Sequence, residues 1–208
     1  LKNHVVNKIY KRLFELYKLC YSDKDNLFKL KLLSLSNVSM RELGTKEGFI
    51  PSGNNLFKDP YSDCITILRS ISNCTTPHDK FATLLRVSNE INTAIDFNEQ
   101  AKLAKDSNKK IESDRGADSL LPVFLYVFIK SNVPHLYSEF QFMNDFNDER
   151  IQSGEEGYRF VNFELALTFV EMMDANIRDE RGVLVTFSLL EERIKMVLEN
   201  IFVRFCFF

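Results

Sequence analysis

Apolar positions along this chain recur every three to four residues and almost never alternate, which is the spacing of helices rather than strands. Val5, Val6, Ile9, Leu13, Leu16 and Tyr17 form a first stripe, and Leu27, Leu30, Leu33 and Leu35 predict a second, shorter helix. Gly48, Pro51, Gly53, Asn54 and Asn55 make residues 44–60 a turn-rich connection. Asp59-Pro60 then reads as an N-cap followed by proline at the first helical position, with Tyr61, Cys64, Ile65, Leu68 and Ile71 as the stripe. Thr76-Pro77 repeats the device and opens a helix whose buried face is Phe81, Leu84, Leu85, Ser88, Ile91 and Ile95. Residues 96–115 turn polar and lysine-rich, which predicts a fraying helix end or a mobile loop.

Residues 120–129 are apolar without interruption, the pattern of a helix buried nearly all round. Ser131-Asn132-Val133-Pro134 ends it, and a short helix is expected over 136–146. Ser153-Gly154-Glu155-Glu156-Gly157 reads as a turn, with a further helix over 162–173. Ser188-Leu189-Leu190-Glu191 has capping-box spacing and starts a last stripe of Leu190, Ile194, Val197, Leu198, Ile201 and Phe205. The polar face of that last helix carries both charge signs, unlike a basic membrane-surface helix. The expected class is all-α.

Composition changes this picture little. A chain of 208 residues buries roughly 70% of its unfolded surface and needs no metal or disulfide staple. Twenty-seven basic and 29 acidic residues leave a net charge of −2, no general field for nucleic acid. Nineteen Phe and no Trp suggest an aromatic core. No apolar run reaches the ~20 residues of a membrane span. The opening Leu1-Lys2-Asn3-His4 is unlike a signal peptide, and the missing Met suggests a fragment. Cys20, Cys64, Cys74 and Cys206 have no C-x-x-C spacing, so idle thiols of a reducing cytosol are expected, with no metal and no cofactor.

Phosphate-loop, dinucleotide, zinc-protease and nucleophile-elbow motifs are all missing. Adjacent Glu155 and Glu156 on a turn are expected to be solvated, as is His78 just inside a helix start. Such a chain acts by binding rather than by covalent chemistry. The carboxylate that stands out is Asp118, at the edge of the apolar run and four residues before Pro122. Proline cannot donate to the Asp118 carbonyl, so a helix starting at Ser119 would make Asp118 its N-cap. The same stiffened start can instead present the carboxylate at the rim of a groove, and pattern leaves both uses open.

Three runs resemble a known family: Thr76-Pro77-His78-Asp79-Lys80-Phe81, then Gly116-Ala117-Asp118-Ser119-Leu120-Leu121-Pro122, then Gly154-Glu155-Glu156-Gly157-Tyr158-Arg159-Phe160-Val161-Asn162. In order and spacing they are similar to the vacuolar protein sorting nine (Vps-nine) domain over residues 60–175, and the preceding helices resemble the bundle that often packs against it. The resemblance implies a guanine nucleotide exchange factor for Rab-five-type small GTPases, peripheral on early endosomal membranes in the cytoplasm. Membrane recruitment is then expected through other regions. It divides the chain into an N-terminal bundle region (1–58), an exchange domain (59–175) and a C-terminal helix packing on the core (176–208).

By the same resemblance, Asp118 is an aspartate finger reaching the phosphate and Mg²⁺ site, with Pro122 as its companion. Tyr158 is expected to contact a switch region. Val161 stands where the family commonly has a hydroxyl residue, Asn162 is expected to cap the helix that follows, and Pro122, Val161 and Asn162 are expected at the GTPase-binding surface. The GTPase would be held nucleotide-free between helices 119–130 and 162–173. A helical scaffold or effector binding the GTP form is the alternative that Val161 favours. Arg115 and Arg159 are expected on the solvated surface.

Overall fold

The computed structural model describes residues 2–51, 59–104, 117–146, 155–173, 176 and 182–184, and side chains at 9–51, 59–104, 119–146, 159–173, 176 and 182–184. Among these are seven helices: α1 (Lys2–Cys20), α2 (Ser22–Ser34), α3 (Ser62–Arg69), α4 (Pro77–Leu103), α5 (Ala117–Ser131), α6 (Leu136–Asp145) and α7 (Glu155–Met172). A 3₁₀ turn (Ser70–Asn73) follows α3. The chain is all-α, as expected. Helix α4 is central, touching α3, α5, α6 and α7, while α5 lies between α3 and α7.

Among the described residues, phenylalanines fill much of the core. Phe160 meets Phe81 edge-on at 5.1 Å and stacks on Phe140 at 5.3 Å, and Phe163 meets Phe128 at 5.4 Å. These spacings favour aromatic contact beyond simple area burial. They also explain where α7 begins. Gly157 suggests a turn and costs roughly 1 kcal/mol inside a helix. Burying Phe160 and Phe163 favours the helix by roughly 1.5–3 kcal/mol each, so the expected turn at 153–157 becomes a first helical turn from Glu155 onward. Asn162 is therefore interior to α7 and does not cap it, and Glu155 and Glu156 open the helix where acidic residues suit its dipole.

Other boundaries move for equally local reasons. Asp59 and Pro60 form a turn in which the Asp59 carboxylate accepts from Tyr61 N at 3.0 Å, and α3 starts at Ser62. Thr76 caps α4 as expected, its hydroxyl accepting from Asp79 N at 3.1 Å behind Pro77. Helix α4 runs on to Leu103, past the predicted fraying point, because Asn98 and Glu99 are buried and Lys102 donates to the carbonyls of Glu47, Gly48 and Ile50. Residues 105–116, with Arg115, and the predicted helix of 188–205 lie outside the described residues, as does Cys206. Cys20, Cys64 and Cys74 are free thiols.

The faces of α1 and α2 differ most from expectation. Tyr10 is buried and Leu13, Phe14 and Tyr17 pack around Phe142 of α6, whereas Ile9 and Leu16 face outward. In α2 the buried set is Asp25, Phe28 and Leu32; Leu27, Leu30 and Leu33 are exposed, and Leu35 is buried beyond the helix end. Aromatic partners on α6 outcompete the leucine stripe.

Two polar devices fasten this α1–α2 arm. Helix α6 starts after His135, a left-handed residue (φ 52°, ψ 41°) whose side chain makes no cap bond. Asp25 of α2 does that work across the interface. Its Oδ1 accepts from Tyr137 N (2.9 Å) and Ser138 N (3.1 Å), and its Oδ2 accepts from the Ser138 hydroxyl (2.6 Å). These are the amides an N-cap normally serves. Asp25→Ala should lower unfolding free energy by about 1–2 kcal/mol, and Asp25→Asn by less, measured by urea denaturation.

The second device is a fully buried ion pair. Lys80 Nζ of α4 donates to Glu139 Oε2 of α6 at 2.6 Å and to the Ile71 carbonyl at 3.0 Å. The rings of Tyr10, Phe14 and Phe142 surround it, with centroids 5.2, 5.4 and 5.7 Å away. Two of the three rings come from α1, which therefore closes the cage.

Candidate functional site

Helix α5 is anchored along its length before it reaches the site. Val123, Leu125, Val127 and Phe128 are fully buried. At its C-terminus, Arg69 Nε donates to the Ser131 carbonyl (2.8 Å) and Nη2 to the Lys130 carbonyl (3.1 Å), satisfying acceptors that the helix cannot. Midway, the Tyr126 hydroxyl donates to Asp59 Oδ2 at 3.1 Å, and burial, then Asp59, pushes that phenol up to about 12. The N-terminal end is thus presented from a fixed stem.

Asp118 occupies the second position of α5, inside the first turn and not at its cap. Pro122, buried one turn later, has no N–H for the Asp118 carbonyl. The backbone places Tyr158 on α7 one turn before Asn162. The side chains of Asp118 and Tyr158 lie outside the described ones.

Between these two helix starts and α4 lies a shallow groove, of ≈ 30 Å³, lined by Ser88, Ile91, Leu120, Leu121, Phe124, Arg159 and Asn162. That volume holds about one water, so the surface is an indentation for a side chain rather than a substrate pocket. Its polar groups are an arginine, an amide and a hydroxyl on an apolar floor, suited to recognising a protein surface. The structure brings Asn162 into this lining. Val161, one residue earlier, is half-buried against the core, and Pro122 is not among the lining side chains. Arg159, expected on the solvated surface, is half-buried in the groove.

Ser88 and Ile91 were legible only as core positions of α4, because a groove wall and a core face share the same helical spacing. The small hydroxyl of Ser88 within an apolar stripe was the available signal. Burial pushes the Cys64 thiol up to about 12, which leaves it a poor nucleophile.

Similarity to known proteins converges on the same helices. Residues 61–175 match the vacuolar sorting protein 9 (VPS9) domain. Over 178 residues the chain is 28% identical to the Rab5 GDP/GTP exchange factor of Mus musculus, covering 84% of this chain and 33% of that protein. It is 33% identical over 112 residues to the Bos taurus protein of the same name, covering 53% of this chain and 20% of the relative. Over 115 residues it is 32% identical to the GTPase-activating protein and VPS9 domain-containing protein 1 of Homo sapiens, covering 55% of this chain and 7% of that protein. The chain thus spans about a third of the length of the first of these relatives. With its described helices α3–α7 inside the matched region, the chain belongs to the VPS9 domain family.

Proposed function

We propose that this chain is a guanine nucleotide exchange factor for a Rab5-type small GTPase, acting on endosomal membranes from the cytoplasmic side. Residues 59–175 carry the exchange activity, residues 1–58 brace it, and the groove between α4, α5 and α7 receives the switch regions. The observation that carries this reading is the convergence of two helix starts, bearing Asp118 and Tyr158, on one groove in the region matched to the VPS9 domain. Asp118 acts as the finger at the phosphate and Mg²⁺ site, Tyr158 contacts a switch region, and Pro122, Val161 and Asn162 shape the surface around them. Nothing covalent is required. A protein that binds the nucleotide-free GTPase best must weaken nucleotide affinity by the same factor that nucleotide weakens its own. Excess nucleotide then releases the GTPase, and the chain turns over.

The reading is tested by loading a Rab5-type GTPase with fluorescent GDP and following release with excess GTP and catalytic amounts of this chain. Acceleration, with tightest binding to the nucleotide-free GTPase, supports it. Release at the spontaneous rate, with preferred binding to the GTP form, would support an effector or scaffold instead. Val161 is the residue that favours this second reading. Val161→Thr keeps the branched shape, and the new hydroxyl can bond the carbonyl four residues earlier when it is unoccupied. Exchange should rise by about 2–10-fold, the worth of one interfacial hydrogen bond.

A further inference from the structure

The outer side of the α1–α2 arm is where the described residues leave most of their large apolar side chains uncovered. Ile9, Leu16 and Leu19 on α1 and Leu27, Leu30 and Leu33 on α2 are 42–72% exposed, and Phe97 on α4 is the other such residue among those described. Helical register puts Leu19 and Leu30 opposite the inward-turned Tyr10, Tyr17, Phe28 and Leu32, and Ile9, Leu16, Leu27 and Leu33 about 100° from those residues, on the flanks. Single exposed leucines need no explanation, but six on two successive helices form a surface with a use.

Charge indicates which use. Lys11, Arg12 and Lys29 are exposed on the same two helices, as are Glu15, which pairs with Lys18, and Asp23. Residues 1–34 hold eight basic and three acidic side chains, a net +5, while the remaining 174 hold 19 basic and 26 acidic, a net −7. No described helix is long and apolar enough to cross a membrane. Exposed leucines on a segment of net positive charge, backed by an acidic body, are the footprint of a surface that lies in anionic headgroups. The acidic body would be repelled by the same leaflet, which fixes which side faces the lipid. The Asp25 cap and the Lys80 cage hold both helices on α6, so the face is presented on a fixed body.

We propose that the outer face of α1 and α2 docks on an anionic phospholipid surface, adding a membrane contact to any that other regions supply. The proposal rests on charge and exposure, not on the exchange reading, and its test needs no GTPase, so either can fail alone. The chain is sedimented with vesicles of phosphatidylcholine, pure or with about one-third phosphatidylserine. It should bind the anionic vesicles selectively, and less as salt rises from about 0.1 to 0.5 M. Each lost cation should lower partitioning about fivefold, so Lys11→Glu, Arg12→Glu and Lys29→Glu together should lower it at least ~100-fold. Leu27→Gln with Leu30→Gln should lower it at least ~10-fold at unchanged melting temperature, since both side chains are exposed. Equal binding to both vesicle types, binding to neither, or full binding by the variants would overturn the proposal. A dimer in light scattering that the double Gln variant dissociates, without vesicle binding, would overturn it in favour of a second copy on this face.

Discussion

Asp118→Ala should return GDP release from a Rab5-type GTPase to near its spontaneous rate while the protein stays folded. GTPases hold nucleotide phosphates with a lysine and Mg²⁺, and a carboxylate delivered there replaces a phosphate as the lysine's partner. At ~4 Å such a contact is worth roughly 4 kcal/mol at an effective dielectric of 20, before desolvation. If half of that is expressed only in the nucleotide-free complex, its loss lowers kcat/KM by about 30-fold, and by more if more is expressed. Asp118 lies within the first turn of α5, so the variant also removes an acidic residue from a helix N-terminus, worth about 0.3–1 kcal/mol. That shifts the melting temperature by only a few degrees in a chain of this size. Asp118→Asn separates charge from shape and should be nearly as slow as alanine. Exchange that survives in both variants would remove the finger from the mechanism.

The largest loss of stability should come from Lys80→Met. Lys80 and Glu139 are 0% and 1% exposed, and removing one member of such a pair strands the other. The expected loss is about 3–5 kcal/mol by denaturant unfolding, whereas Lys80→Met with Glu139→Leu should recover most of it. Burial pushes the Glu139 carboxyl up from 4.5 to about 7, against the opposing pull of Lys80. The folded chain therefore retains a proton that the unfolded chain releases. This contribution to stability is fully present below about 4.5 and is lost as pH rises through about 7. In Lys80→Met the opposing pull is gone and the carboxyl rises further, so the variant should lose more stability at pH 8 than at pH 5. An equal loss at both values would mean that Glu139 stays protonated throughout.

Helix content was readable in the sequence wherever local signals and packing agree. Thr76-Pro77 gives the start of α4 because cap chemistry acts within one turn, and residues 120–129 give α5 because burial all round leaves no face to misassign. Failures cluster where a long-range partner decides. Leu27, Leu30 and Leu33 form a better stripe than Phe28 and Leu32, yet the second set is buried because Phe28 stacks on Tyr137 at 5.7 Å. Gly157 marks a turn until Phe81 and Phe140 are present to receive Phe160. Asp25 looks like an ordinary first-turn acid of α2, because its role as the cap of α6 spans more than a hundred residues. In the candidate site, Asp118 and Tyr158 were reached through family resemblance, and the groove wall of Ser88 and Arg159 emerged only from the packing of α4 on α7.

The cage around Lys80 has a consequence for where this domain can be cut. The match to the VPS9 domain starts at residue 61, but two of the rings that shelter the ammonium group, and the carboxylate that caps α6, lie upstream of it. A fragment trimmed to the recognised boundary would open the ion pair to water on one side and leave a helix start bare. The cooperative unit is therefore larger than the segment matched to the VPS9 domain, and α1 and α2 carry packing and capping roles that belong to α4 and α6.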